Sequence, residues 1–94
     1  MRRIERATAF RRDFRRESKA QHGAKLYEDL AAIIAVLASD AQLDPRLRDH
    51  ALSGDWQGYR ECHVKPDLLL IYRKTDDDLL RLARLGSHSE LFKK

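Results

Sequence analysis

The sequence predicts an α+β fold in which an N-terminal helical hairpin packs on one face of a small antiparallel β-sheet. Two observations carry that prediction. Residues 24 to 38 place Leu26, Leu30, Ile33, Ile34 and Leu37 at the spacing of one buried helical stripe. The second half holds three runs of strand length, Tyr59 to Val64, Leu68 to Lys74 and Leu79 to Leu85, separated by turn segments. Ninety-four residues suffice for one core and are too few for two, so residues 1–94 read as a single domain.

The elements follow in order. A short strand is expected over residues 2 to 7. A first helix then runs from Thr8, taken as its N-cap, to about Gln21, with Phe10 and Phe14 one turn apart and Gly23 closing it. The second helix is expected from Ala24 to Ala38, antiparallel to the first. Asp44-Pro45 signals the start of one short helical turn, and Ser53-Gly54-Asp55 signals a turn before extended chain. The three strands form a meander through Lys65-Pro66-Asp67 and Thr75-Asp76-Asp77-Asp78. Its apolar face needs a cover, and the helix at 24 to 38 supplies it.

Composition narrows the function classes. With 43% hydrophobic and 36% charged residues, the chain is a folded, charge-rich domain and not a disordered one. Its longest apolar run, Leu30 to Ala38, falls far short of the roughly 20 residues of a membrane span. Glu5, Arg6, Arg11 and Arg12 interrupt any signal-peptide core, so a cytoplasmic protein with no membrane contact is expected. The lone Cys62 offers neither a disulfide nor a zinc framework, and it reads as a small buried side chain. Residues 1 to 25 carry nine Arg and Lys against three acids, a local charge of +6, whereas the remainder carries ten against twelve. That asymmetry marks either a surface that meets phosphates or an acidic partner, or a solvated helix face.

Three of the four histidines, His50, His63 and His88, stand beside predicted turns or strand ends in the second half. Alternation along 59 to 64 puts Cys62 and Val64 toward the core and His63 on the open face of the sheet, where antiparallel sheets are also ordinarily polar. Asp67 lies in a turn whose Pro-Asp pair has local hydrogen bonding of its own to explain it. Arg84 ends the last strand. Phe92 follows a polar break at Gly86-Ser87-His88-Ser89, and either packs on the core or lies over a binding site. Imidazoles, a carboxylate and an arginine together suit RNA cleavage without a metal. The ribose 2′-OH attacks the adjacent phosphate, one group takes its proton, and another protonates the leaving 5′ oxygen. A guanidinium suits the charge that builds on the phosphorane, and Arg84 is the natural candidate. The same histidines with Asp67 form the ligand set of a rival metal site, but they lack a recognisable ligand spacing. No cofactor is expected. A further alternative is a noncatalytic nucleic-acid-binding module in which the histidines are structural.

The string Asp49-His50-Ala51-Leu52-Ser53-Gly54-Asp55-Trp56, with Gly58 to Tyr72 and Arg84 to Phe92, resembles the signature of the YafQ family within the RelE/ParE superfamily of type II toxins. The resemblance is close over residues 43 to 92; residues 1 to 42 match in length, helical pattern and basic charge. It implies a ribosome-dependent endoribonuclease, an mRNA interferase, that cuts mRNA in the ribosomal A site. It also implies restraint by a cognate antitoxin, expected to be acidic, in a toxin–antitoxin hetero-oligomer. Carried over residue by residue, His50, His63, Asp67 and His88 are acid/base and positioning groups, Arg84 is the phosphate clamp, and Phe92 orients the mRNA. Under this reading Arg11, Arg12, Arg15 and Arg16 of the basic helix contact ribosomal RNA.

Overall fold

The first strand, β1 (Arg3–Arg6), passes into the first helix, α1 (Thr8–Ser18), without a loop. The structure, a computed structural model, describes residues 1–20 and 23–92. Ala7, not Thr8, holds the cap position, because its extended backbone still donates an N–H to Leu82 C=O at 3.0 Å and so continues the strand ladder. Helix α1 ends at Ser18, short of the expected end near Gln21: Lys19 caps it and Lys19 and Ala20 form a turn and a bend, while Gln21 itself lies outside the described residues. Gly23 opens the next helix, α2 (Gly23–Ala38), instead of closing α1. A Cβ at Gly23 would lie 2.1 Å from the Ser18 carbonyl oxygen, so the close approach of the two helices admits only glycine.

After α2 the chain makes a 3-10 turn, Pro45–Leu47, whose cap Asp44 accepts the Arg46 N–H at 2.9 Å. Strand β2 (His50–Ala51) and a second 3-10 turn (Gly54–Trp56) lead into β3 (Arg60–Lys65), β4 (Leu68–Lys74) and β5 (Leu79–Gly86). A short helix, α3 (His88–Leu91), follows. Strands β3 to β5 form the expected antiparallel meander, β2 adds an unexpected antiparallel strand at its edge, and the sheet as a whole is mixed. Its order is β1-β5-β4-β3-β2, and β1 pairs parallel with β5, Arg3 opposite Leu79 and Arg6 opposite Leu82. Everything from α1 to β4 lies between the two strands and provides the long crossover that a parallel pair needs.

The main core lies between the helices and one sheet face. Phe10 of α1 and Leu26, Leu30, Ile33 and Leu37 of α2 meet Cys62, Leu68, Leu70, Tyr72, Leu80, Leu82 and Leu85. Burial, then the nearby Asp49 and Glu61 charges, push the Cys62 thiol up to about 12, so it is an inert apolar filler. The opposite face is not bare, as alternation alone suggests. Leu69, Ile71, Ala83 and Leu91 form a second cluster, flanked by Leu52, Trp56, Tyr59 and Phe92. The unbroken run Leu68-Leu69-Leu70-Ile71-Tyr72 signals this, since a strand covered on both faces has no need to alternate.

A β-bulge decides what faces the second cluster. Ile71 pairs with Arg84 whereas the adjacent Tyr72 pairs with Leu82, so Ala83 is the extra residue. The phase shift lets Leu82 and Leu85 both reach the main core while Ala83 and Arg84 turn to the other side. Without it, Arg84 would follow Leu80 and Leu82 into the apolar interior.

Candidate active site

The face opposite the helices carries most of the residues that the sequence singles out. One cross-strand row runs His50, Glu61, Ile71, Arg84 across β2, β3, β4 and β5, and the next runs His63, Leu69, Gly86. Three strand spacings put the backbones of His50 and Arg84 about 14 Å apart. Asp67 is exposed in the turn after β3, next to Pro66, whose carbonyl lies 3.3 Å from His63 Nδ1. His88 and Phe92 flank α3 just beyond Gly86, their rings 4.8 Å apart and tilted by 39°. The residues thus form two groups, His50, His63 and Asp67 at one side and Arg84, His88 and Phe92 at the other, around the second apolar cluster.

The His50 group is held by partners that sequence reading missed. Asp49 is tethered to the core side by Tyr72 Oη at 2.5 Å and Arg60 Nε at 3.1 Å, and the next residue, His50, therefore turns to the opposite face. Arg48 adopts a left-handed conformation, φ 53°, and its carbonyl lies 2.7 Å from His50 Nδ1. A carbonyl only accepts, so Nδ1 carries a proton. The other ring nitrogen, Nε2, is 3.0 Å from Oε2 of Glu61, its cross-strand neighbour, which is only 5% exposed. Two acceptors do not bond to each other, so this contact holds a proton, on the imidazole or on the carboxyl. Among the described residues, none supplies a hydrogen-bond partner to the buried Glu61 Oε1. His63 differs: its Nδ1 is committed to the Pro66 carbonyl, which leaves Nε2 as an acceptor.

The Arg84 group is anchored by α1. Asp13, its side chain 2% exposed, receives Arg84 Nε at 2.7 Å and Nη2 at 3.2 Å, Leu85 N–H at 3.0 Å and Arg16 Nη1 at 3.0 Å. Burial alone would raise this carboxyl, but bonds from Arg84, the Leu85 amide and Arg16 outweigh it and hold Asp13 below the usual carboxylate value. His88 is set by a capping box: Ser87 Oγ accepts the Glu90 N–H at 3.2 Å and Glu90 Oε1 accepts the Ser87 N–H at 2.9 Å. The Ser-x-x-Glu spacing is visible in the sequence.

The four arginines of α1 divide by helical stripe. Arg11 and Arg15, one turn apart, rim a groove between α1 and α2, whereas Arg12 is exposed on the stripe it shares with Arg16. Arg16 is not a free cation. Its guanidinium engages Asp13, Glu17, Glu90 and the Leu85 carbonyl, and so ties α1 to β5 and α3. No group of three or more His, Cys, Asp or Glu among the described residues is arranged to hold a metal ion.

Residues 2–93 match the family model described as a bacterial toxin of a type II toxin-antitoxin system, YafQ. The chain belongs to the YafQ toxin family. It is 56% identical over 45 residues to the mRNA interferase toxin YafQ of Escherichia coli strain K12, a stretch that covers 48% of either chain. The chain thus spans about half the length of that curated relative. The fold likeness covers far more. A copper-bound mutant toxin from Helicobacter pylori is 40% identical, with a TM-score of 0.84 over 98% of this chain and 100% of that one. YafQ of Escherichia coli strain BL21(DE3) is 36% identical, with a TM-score of 0.82 over 98% and 99%. The chain aligned in the Escherichia coli DinJ-YafQ toxin-antitoxin complex is 37% identical, with a TM-score of 0.80 over the same shares.

Proposed function

We propose that this YafQ-family chain is an endoribonuclease that cuts mRNA on the ribosome, and that its cognate antitoxin silences it. The observation that carries the reading is the split of the site face, with imidazoles at one side and an anchored arginine at the other. An RNA strand laid across the sheet would meet both. His63 Nε2, the free acceptor, takes the 2′-OH proton as the 2′ oxygen attacks phosphorus. Arg84 donates to the phosphorane oxygens through N–H groups that Asp13 leaves free. The bond to the 5′ oxygen breaks, and that oxygen takes the proton held between His50 and Glu61. The products are a 2′,3′-cyclic phosphate and a 5′-hydroxyl. His88 and Phe92 bind the nucleotide beside Arg84, and exposed Asp67 orients the ribose next to His63.

The spread of the site supports dependence on the ribosome. The two groups stand apart on a face filled by Leu69, Ile71, Ala83 and Leu91, so a free, flexible RNA strand must be brought into line for attack at its own entropic cost. A ribosome that holds the mRNA would provide that geometry. Purified protein is expected to cut mRNA bound in ribosomes at least about 10²-fold faster than the same RNA free, the scale at which orientation contributes to rate. Equal rates on both would rule out ribosome dependence while leaving the nuclease reading intact. Exposed Arg12, on the stripe that runs toward α3, is the α1 cation best placed to meet RNA.

The antitoxin surface is a different one. Met1, Ile4 and Tyr27 are the exposed large hydrophobic residues among those described, 86%, 39% and 75% accessible. All three line the groove between α1 and α2, of about 880 Å³, together with Phe10, Phe14, Leu30 and Ile34. Arg6, Arg11, Arg15 and Lys19 rim it. An apolar floor with a cationic rim fits an acidic amphipathic segment, the character expected of the antitoxin.

A further inference from the structure

Strand β1 ends at Arg6, opposite Leu82, and among the described residues no strand lies beside the edge of β5 beyond that point. Two side chains of α1 take the missing strand's place: Asp13 accepts the Leu85 N–H and Arg16 Nη2 donates to the Leu85 carbonyl, each at 3.0 Å. Satisfying that edge requires one acceptor and one donor. Asp13 does more, because it also receives Nε and Nη2 of Arg84 in a two-point contact. We propose that Asp13 is a positioning residue for RNA cleavage, fixing the plane of the Arg84 guanidinium so that its unused edge meets the scissile phosphate. The inference rests on the reading of Arg84 as the phosphate clamp.

The bulge after Leu82 turns Arg84 out of the core, where a long side chain on an open face would otherwise sample many rotamers. Its side chain keeps 27% exposure while Asp13 keeps 2%, so the anchor is buried and the clamp is reachable. Arginine has five N–H groups; two go to Asp13, which leaves three for a phosphate. Held in one plane, these donors act where charge builds in the transition state. Loss of the anchor should thus lower kcat while leaving KM nearly unchanged.

The experiment compares wild type, Asp13→Asn, Arg84→Ala and the double variant on ribosome-bound mRNA, with kcat, KM and the folded fraction measured for each. Asparagine keeps the side-chain shape and an acceptor for the Leu85 amide. Asp13→Asn is expected to lower kcat about tenfold or more at unchanged KM, and to add no loss to Arg84→Ala, since it acts through that residue. Additive losses, or a folded Asp13→Asn with wild-type kcat, would overturn the proposal. Wild-type protein that cuts nothing would remove the underlying site reading first, an outcome distinct from either. Should Asp13→Asn fail to fold, NMR of the arginine Nε–H groups in the wild type decides. An Arg84 Nε–H as rigid as the backbone supports the anchor, and one as mobile as that of exposed Arg12 contradicts it.

Discussion

Replacing His63 with alanine is expected to lower kcat for RNA cleavage by about 10² to 10⁴, the usual contribution of a general base, while the melting temperature stays close to that of the wild type. The second expectation follows from where the side chain sits. His63 is half-buried at the margin of the second cluster and is not a member of either core, and its one hydrogen bond is a long 3.3 Å contact to Pro66. Steady-state kinetics would identify the role: kcat should fall while KM changes little. A variant that keeps wild-type kcat would assign the base elsewhere, with His88 the next candidate, because neither of its ring nitrogens is committed within the described hydrogen bonds.

The second large effect is on the antitoxin. Converting Tyr27 to glutamate places a negative charge on the apolar floor of the α1–α2 groove, where an acidic segment is proposed to lie. Truncating a tyrosine at the centre of an interface commonly costs 2 kcal/mol or more, which is about 30-fold in Kd, and like-charge repulsion adds to that. The affinity for the antitoxin should therefore fall by about 30-fold or more, measured by calorimetry or by competition, while cleavage on ribosomes is unchanged. Tyr27 is 75% exposed in the free chain, so its replacement costs little stability. Undiminished antitoxin affinity would move the docking surface away from this groove. Loss of cleavage would place the groove in the RNA path, as first expected for Arg11 and Arg15.

What the sequence disclosed, and what it did not, divides along physical lines. The α2 stripe, the Asp44-Pro45 turn and the three strands of the meander were legible because each depends on local periodicity or on a local hydrogen bond. The parallel pairing of β1 was not, since four exposed residues, Arg3 to Arg6, carry no pattern that names their partner. The bulge at Ala83 was hidden as well, although Leu80, Leu82 and Leu85 do break strict alternation and contain its signal. Among the site residues, His50, His63, Asp67, Arg84, His88 and Phe92 stood out by chemical type and by the family resemblance. Their supports did not. Asp13 lies 71 residues from Arg84 in sequence, and Glu61 reads as an ordinary charge on an exposed strand face until its neighbour across the sheet is known. Arg16 looked like its three helical neighbours because charge alone cannot tell an arginine that meets solvent from one that binds Asp13, Glu17 and Glu90.

The central claim, that this chain cuts mRNA during translation, is tested most directly by mapping the 5′ ends of cellular mRNA after its induction in a bacterial host. The same mapping is done for His63→Ala and for wild type expressed with the cognate antitoxin. New 5′ ends within coding regions, in register with the reading frame, should appear in the wild type alone, together with growth arrest. Arrest without new ends, or the same ends from His63→Ala, would contradict the account: the first would leave a chain that binds without cutting, and the second would place the chemistry on other residues.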